Sequence, residues 1–237
     1  MLYTQLDFYK DNGFVVFKNA INDELIEQYK NSSIKEEIKN NKLQKGFIEG
    51  HQYVDHREIR DILCEDVIFN FFEDMGLLFS LHTSLSANVS TERDWHRDFV
   101  WDHRHGADNY IGVWVALEDI SSDSGPFEAI PGSHKWDLDY SRLDLAELSS
   151  NPSAGSNYMQ EEIKLRGVEP FRFTASRGDI LFWHGHLIHR GSLPKDENTT
   201  RQTLIGHYCA NAHGDPNWKL TDYPELYRTW KKGYYYI

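Results

Sequence analysis

Between Phe79 and Val89 the chain alternates. Phe79, Leu81, Thr83, Leu85, Ala87 and Val89 are separated by Ser80, His82, Ser84, Ser86 and Asn88. A period of two over this length marks a β-strand with one apolar and one polar face, because successive side chains of an extended chain point to opposite sides. The small hydroxyls of the polar face suit a ligand cavity as well as solvent. Upstream the pattern is helical. Thr4 with Asp7 three residues on forms a capping box and Asn12-Gly13 a stop, so a helix covers about residues 4–12. Phe14 to Phe17 is an apolar strand. Asn22 caps a second helix, with Asp23 and Glu24 in its first turn and Leu25, Ile26 and Tyr29 on one face. Residues 30–46 are polar and read as a solvated face or loop, and residues 46–60 show no clear period. From Ile59 to Leu78 one helix is expected, its buried stripe formed by Ile62, Leu63, Val67, Phe71 and Phe72. Further strands are expected at Ile111–Leu117, Phe127–Ile130, Phe171–Thr174, Ile180–Trp183 and Gln202–Cys209.

These elements predict a mainly β, α+β chain with helical decoration, organised as one domain over 1–237. Residues 1–76 form its helical N-terminal part and 77–210 its β core. Residues 137–165 read as an insertion loop within that core, and 211–237 as a tail that packs aromatics over the domain. The aromatic content, 13 Phe, 13 Tyr and 7 Trp, agrees with a sheet-built core. A formal charge of −12 argues against a nucleic-acid or anionic-membrane partner and leaves a small molecule as the expected one. No apolar run reaches the roughly 18 residues of a membrane span. The first dozen residues lack the apolar core of a secretion signal. Two cysteines, Cys64 and Cys209, make neither a disulfide framework nor a cysteine zinc site. A cytoplasmic protein is expected.

The chemistry gathers at two stretches. In Trp95-His96-Arg97-Asp98 an imidazole and a carboxylate stand two residues apart, which on an extended segment puts them on one face. A surface salt-linked pair with Arg97 is the bland alternative. About ninety residues on, Gly178 to Ser192 carries His184, His186 and His189. Two histidines and a carboxylate on one face of a metal leave the opposite face open, which is the ligand set of non-haem Fe(II) oxygenases.

More of the chain follows the same theme. WHRD, then WVALEDI (Trp114–Ile120), SGPFEAIPGSHK (Ser124–Lys135), GDILFWHG (Gly178–Gly185), HRGSLP (His189–Pro194) and Arg201 occur in order. Together they resemble the phytanoyl-CoA dioxygenase family of Fe(II)/2-oxoglutarate oxygenases, as does the N-terminal helix–strand–helix. The resemblance implies a double-stranded β-helix, a cupin-like jelly roll, with the N-terminal helices packed on one sheet. It implies Fe(II) held by His96, Asp98 and His189, with 2-oxoglutarate as co-substrate, O2 as oxidant, and succinate and CO2 as products. His189 is preferred to His184 and His186 because it precedes the Gly-Ser-Leu-Pro turn and stands twelve residues before Arg201. The family places there the arginine that grips the far carboxylate of 2-oxoglutarate. A planar guanidinium can do so through two parallel hydrogen bonds. Ser192 and Asn88 are further candidates for that co-substrate. Trp101, Arg104, His105, Phe127, His51 and Tyr53 are candidates for the substrate pocket, whereas Trp114, Phe182 and Trp183 read as core. Asp98 itself favours hydroxylation over halogenation, since related halogenases replace the carboxylate to admit halide. Two other readings remain open: a cofactor-independent dioxygenase or hydrolase on a cupin-like barrel, and a barrel that only binds. Neither needs a dedicated anchor for a dicarboxylate.

Overall fold

The alternating stretch becomes β3 (Ser80–Ala87), one of the central strands of a large sheet. The computed structural model describes residues 4–41, 46–98, 110–139, 153–196, 198–210 and 226–237. The chain opens with α1 (Gln5–Asn12), β1 (Phe14–Phe17) and α2 (Asp23–Lys30). Thr4 and Asp7 form the reciprocal capping box, Gly13 closes α1 at φ 78°, and the Asn22 side chain accepts from the Glu24 amide. Next come α3 (Ile34–Asn40), β2 (Phe47–Gly50), α4 (Gln52–Asp55), α5 (Arg57–Leu63) and α6 (Asp66–Asp74). Beyond β3 lie β4 (Tyr110–Ala116), β5 (Phe127–Ala129) and α7 (Ser153–Arg166). β6 (Phe171–Phe173), β7 (Ile180–His184), β8 (His189–Gly191) and β9 (Thr203–Cys209) follow, and β10 (Tyr227–Trp230) and β11 (Gly233–Tyr236) end the chain.

The large sheet runs β1-β7-β4-β9-β3-β11-β10, with β2 also paired to β3; a small sheet runs β6-β5-β8. The inner strands β4 and β7 are buried on both faces. Ile111, Val113, Val115, Phe182, Leu204 and Tyr208 point to the helices, where they meet Ile62, Phe69, Phe71 and Phe72. Their neighbours Trp114, Ala116, Leu181 and Trp183 point the other way and pack with Phe14, Phe127 and Phe173 between the sheets. This is a two-sheet jelly roll with helices α1–α6 on the outer face of the large sheet, mainly β with helical decoration. Among the described residues the sheets do not close into a barrel.

Four local expectations are corrected. Residues 30–46 include a helix, α3, because Ile34 and Ile38, one turn apart, are both buried against the core. Residues 46–60 are not irregular but hold β2, α4 and the start of α5. The single helix over Ile59–Leu78 is two, because Glu65 takes an extended backbone (ψ 145°) and starts α6. The polar face of β3 does not line a cavity: Ser84 and Ser86 are buried on the helix side, and the Ser84 hydroxyl donates to the Gly50 carbonyl. A register shift between Leu81 and Thr83 also turns Leu81 to the helix side, while Leu85 keeps the inner face.

Two further segments acquire structure. The tail strands β10 and β11 extend the large sheet beyond β3. In the stretch read as an insertion, α7 buries Tyr158 and Met159 with Trp95, Ile130 and Ile188.

Candidate active site

The extended segment after β3 carries His96 and Asp98 to β8. His96 and His189 form a two-residue β-bridge in which each amide donates to the other's carbonyl at 3.0 Å, and the Asp98 amide donates to the Gly185 carbonyl at 3.1 Å. Backbone pairing thus joins residues far apart in sequence and fixes their side chains on one face. The His96 Nε2 and His189 Nε2 stand 3.7 and 3.6 Å from Asp98 Oδ1. One ligand atom from each of the three residues lies within 4.8 Å of the others.

The next layer of contacts sets the chemistry of the three donors. His96 Nδ1 and His189 Nδ1 lie 2.7 and 2.9 Å from the carbonyls of Asp94 and Leu187. A carbonyl only accepts, so each Nδ1 carries its proton and each Nε2 offers a lone pair toward Asp98. Trp183 Nε1 donates to Asp98 Oδ2 at 2.8 Å, leaving Oδ1 for the centre. Burial lowers both histidine pKa values, that of His96 well below 6.5. Burial would raise that of Asp98, but His189, His207, His96 and the Trp183 N–H together hold it at about 2. At neutral pH the cluster is two neutral imidazoles and a carboxylate, the protonation state that binds a divalent metal.

Trp183 in turn depends on Gly112, its partner in the β4–β7 ladder. A Cβ at residue 112 would fall 2.0 Å from the Trp183 ring. Gly112→Ala is therefore expected to displace the indole at a cost of about 1–3 kcal/mol, read in a denaturation curve. Trp183→Phe keeps the bulk but drops the hydrogen bond, and is expected to cost roughly 10–100-fold in metal affinity. Unchanged iron affinity in Trp183→Phe would contradict this role.

The cluster opens on a cavity of about 430 Å³ between the sheets, lined from the large sheet by Trp114, Ile205 and His207 and from the small one by Phe127 and Gly191. Phe127 also stacks on the His189 ring at 5.2 Å and 19°. Arg201 lines the same cavity and is 2% exposed. Its amide donates to the Asn88 carbonyl and its Nη1 to the Gly125 carbonyl, at 2.8 and 2.9 Å. Among the described residues its Nε has no partner and no carboxylate pairs with it. Burial lowers its pKa to about 10, so it stays charged at neutral pH. The result is a buried cation, without a carboxylate partner among the described residues, in the cavity onto which the His96–Asp98–His189 cluster opens.

The other sequence candidates divide. His184 and His186 do not join the cluster. His184 sits opposite Ile111 in the β4–β7 ladder, on the helix side near Tyr9, and its Nδ1 accepts from the His186 amide. The Ser192 hydroxyl donates to the Pro126 carbonyl, and neither Ser192 nor the Asn88 side chain lines the cavity. Tyr53 is buried on the helix side with its hydroxyl donating to the His82 carbonyl, and His51 packs near Tyr53 and Tyr236. Trp101, Arg104 and His105 lie outside the described residues.

Sequence reasoning missed Thr91 and His207, which line the cavity with Phe47, Glu49 and Arg93, and assigned Trp114 and Trp183 to the core. For His207 a signal existed: Arg201, Thr203, Ile205 and His207 alternate on one face of β9 and its approach. His207 Nδ1 lies 2.6 Å from the Tyr110 hydroxyl.

Comparison with known proteins agrees with this fold. The crystal structure of the non-heme alpha-ketoglutarate-dependent carbocyclase SnoK from nogalamycin biosynthesis superposes with a TM-score of 0.65. It is 15% identical, covering 88% of this chain and 84% of its own. Bovine (Bos taurus) peroxisomal phytanoyl-CoA dioxygenase is 23% identical over 242 residues, 88% of this chain and 69% of that protein. L-proline trans-4-hydroxylase of Streptomyces griseoviridis is 31% identical over 120 residues, 46% of this chain and 43% of that enzyme. The protein is a 2-oxoglutarate-dependent non-haem iron dioxygenase. Residues 37–202 match the family model of phytanoyl-CoA dioxygenase, and the chain belongs to that family.

Proposed function

We propose that His96, Asp98 and His189 hold Fe(II), that Arg201 grips the distal carboxylate of 2-oxoglutarate, and that the product is a hydroxylated small molecule. The observation that carries this reading is Arg201: a buried, unpaired guanidinium in the cavity that also contains the two-histidine, one-carboxylate cluster. Burying such a charge is costly unless a partner arrives, and a dicarboxylate supplies one. Bound iron would supply oxidative decarboxylation of 2-oxoglutarate by O2, with release of succinate and CO2.

The chain's own residues set the conditions for that chemistry. Trp183 keeps Asp98 oriented, and the backbone carbonyls of Asp94 and Leu187 keep both imidazoles in the ligating tautomer. Asp98 occupies the position that a halide would need, which favours hydroxylation. The Ser192 hydroxyl is engaged with Pro126, so Arg201 is the stronger candidate for co-substrate anchor. Phe127, stacked on His189, is the remaining described member of the sequence-derived substrate set at the cavity.

Among the described residues no helix is long and apolar enough to cross a membrane. The charge of −12 supports an enzyme acting on a small molecule and not on nucleic acid, and we place it in the cytoplasm as part of the same proposal. The test is succinate release from 2-oxoglutarate in air by iron-loaded protein, with candidate small molecules added. Release that requires Fe(II) and O2, with a product 16 Da heavier than the substrate as one added oxygen atom requires, is expected. Turnover that proceeds without O2 would contradict the reading.

A further inference from the structure

The outer part of the cavity carries a second set of charges, separate from Arg201. Glu49 and Arg93 both line it. Glu49 projects from β2, opposite Leu85 of the large sheet. Arg93 lies three residues before His96, and its carbonyl accepts the Gly191 amide of β8 in the small sheet. The two residues therefore stand on the two sides of the cleft between the sheets.

Other charged groups of this cavity are already engaged. Arg190 binds Glu128 at 2.7 Å and stacks over Trp95, and Asp98 accepts from Trp183. Glu49 and Arg93, both exposed, have neither an ion pair nor a side-chain hydrogen bond among the described residues. The β2–β3 ladder holds Glu49 on its wall, and the link to β8 holds Arg93 on the other. Apolar surface accompanies them: Phe47 shares the inner face of β2 with Glu49, and Leu85 faces the cavity beside it.

We propose that this outer part binds a small zwitterion of the free α-amino-acid type, its ammonium at Glu49 and its carboxylate at Arg93. Its hydrocarbon part lies over Phe47 and Leu85 and points to the His96–Asp98–His189 cluster. The inference rests on the reading of that cluster and Arg201 given above. Two guanidiniums then divide two kinds of carboxylate. Buried Arg201 takes the inner one of the co-substrate, and exposed Arg93 takes that of the substrate. A cavity of about 430 Å³ that must hold both molecules limits the substrate to a small one. Because Glu49 and Arg93 are solvent-exposed, they act on selectivity more than on raw affinity.

The test uses the iron-loaded full chain with saturating 2-oxoglutarate in air, measuring succinate release. Three series are compared: the common L-amino acids, their N-acetyl derivatives, which lack the cation, and their carboxamides, which lack the anion. At least one free amino acid is expected to raise release tenfold or more over the substrate-free rate, with each of its singly charged analogues about two- to fivefold poorer in kcat/KM. Glu49→Gln is expected to erase the preference over the N-acetyl form, and Arg93→Gln the preference over the carboxamide. Equal activity of either analogue, discrimination that survives both substitutions, or stimulation by an acyl-CoA and by no amino acid would overturn the proposal. If Fe(II) and 2-oxoglutarate give no charge-transfer band in the unmodified protein, the reading of the cluster fails. If the band forms and no amino acid stimulates release, the zwitterion site alone fails.

Discussion

His189→Ala is expected to remove stoichiometric iron binding and, with it, 2-oxoglutarate turnover. Loss of a residue that merely orients a ligand costs roughly 10–100-fold in metal affinity, and His189 would be a ligand itself, so the loss should exceed that range. The fold should survive, because the bridge that joins residue 189 to His96 is made by backbone groups alone. The proper control is His184→Ala. That histidine is also buried and lies only five residues upstream, but on the helix side of the sheet. It should lose some stability and keep its iron. Metal analysis after anaerobic loading distinguishes the two. Iron retained by His189→Ala, or lost by His184→Ala alone, would assign the ligand wrongly here.

Arg201→Met separates binding from stability. Removing one partner of a buried, hydrogen-bonded charge pair costs about 2–5 kcal/mol, so the KM for 2-oxoglutarate is expected to rise by roughly 30-fold to several thousand-fold. Without 2-oxoglutarate the sign differs. The guanidinium is 2% exposed, has no carboxylate partner among the described residues, and makes one hydrogen bond, to Gly125. Replacing an uncompensated buried cation with an apolar chain of similar length should leave the melting temperature unchanged or raise it. Added 2-oxoglutarate should then stabilise the unmodified protein, by mass action, more than the variant. A variant that melts several degrees lower and binds 2-oxoglutarate normally would make Arg201 a structural arginine.

The histidine–carboxylate pair of the candidate site was legible because an extended segment writes its geometry locally. His96 and Asp98 are two residues apart, and that spacing alone puts them on one face. The same holds for the caps at Thr4 and Asn22 and for the apolar strand at Phe14–Phe17. What sequence could not give is register between distant strands. Gly112 looks like any strand glycine until β4 pairs with β7 and Trp183 falls across it. The β3 shift near His82 is invisible in a clean alternation, yet it turns Leu81 to the helices. Glu49 lies in a stretch without periodicity, and only its pairing opposite Leu85 brings it to the cavity. Tyr53 drew notice as an aromatic near His51 and proves to face the helical layer. Helix α3 was hidden by its polar composition, since its buried residues are just two isoleucines one turn apart.

The central claim is that the cluster and Arg201 form one site for iron and 2-oxoglutarate together. Its most direct test is anaerobic titration of Fe(II), then 2-oxoglutarate, into metal-free protein, followed by visible absorption. Chelation of iron by the keto and carboxylate oxygens should produce a weak metal-to-ligand charge-transfer band that saturates at one equivalent of each. Iron binding without such a band, or no iron binding at all, would contradict the account.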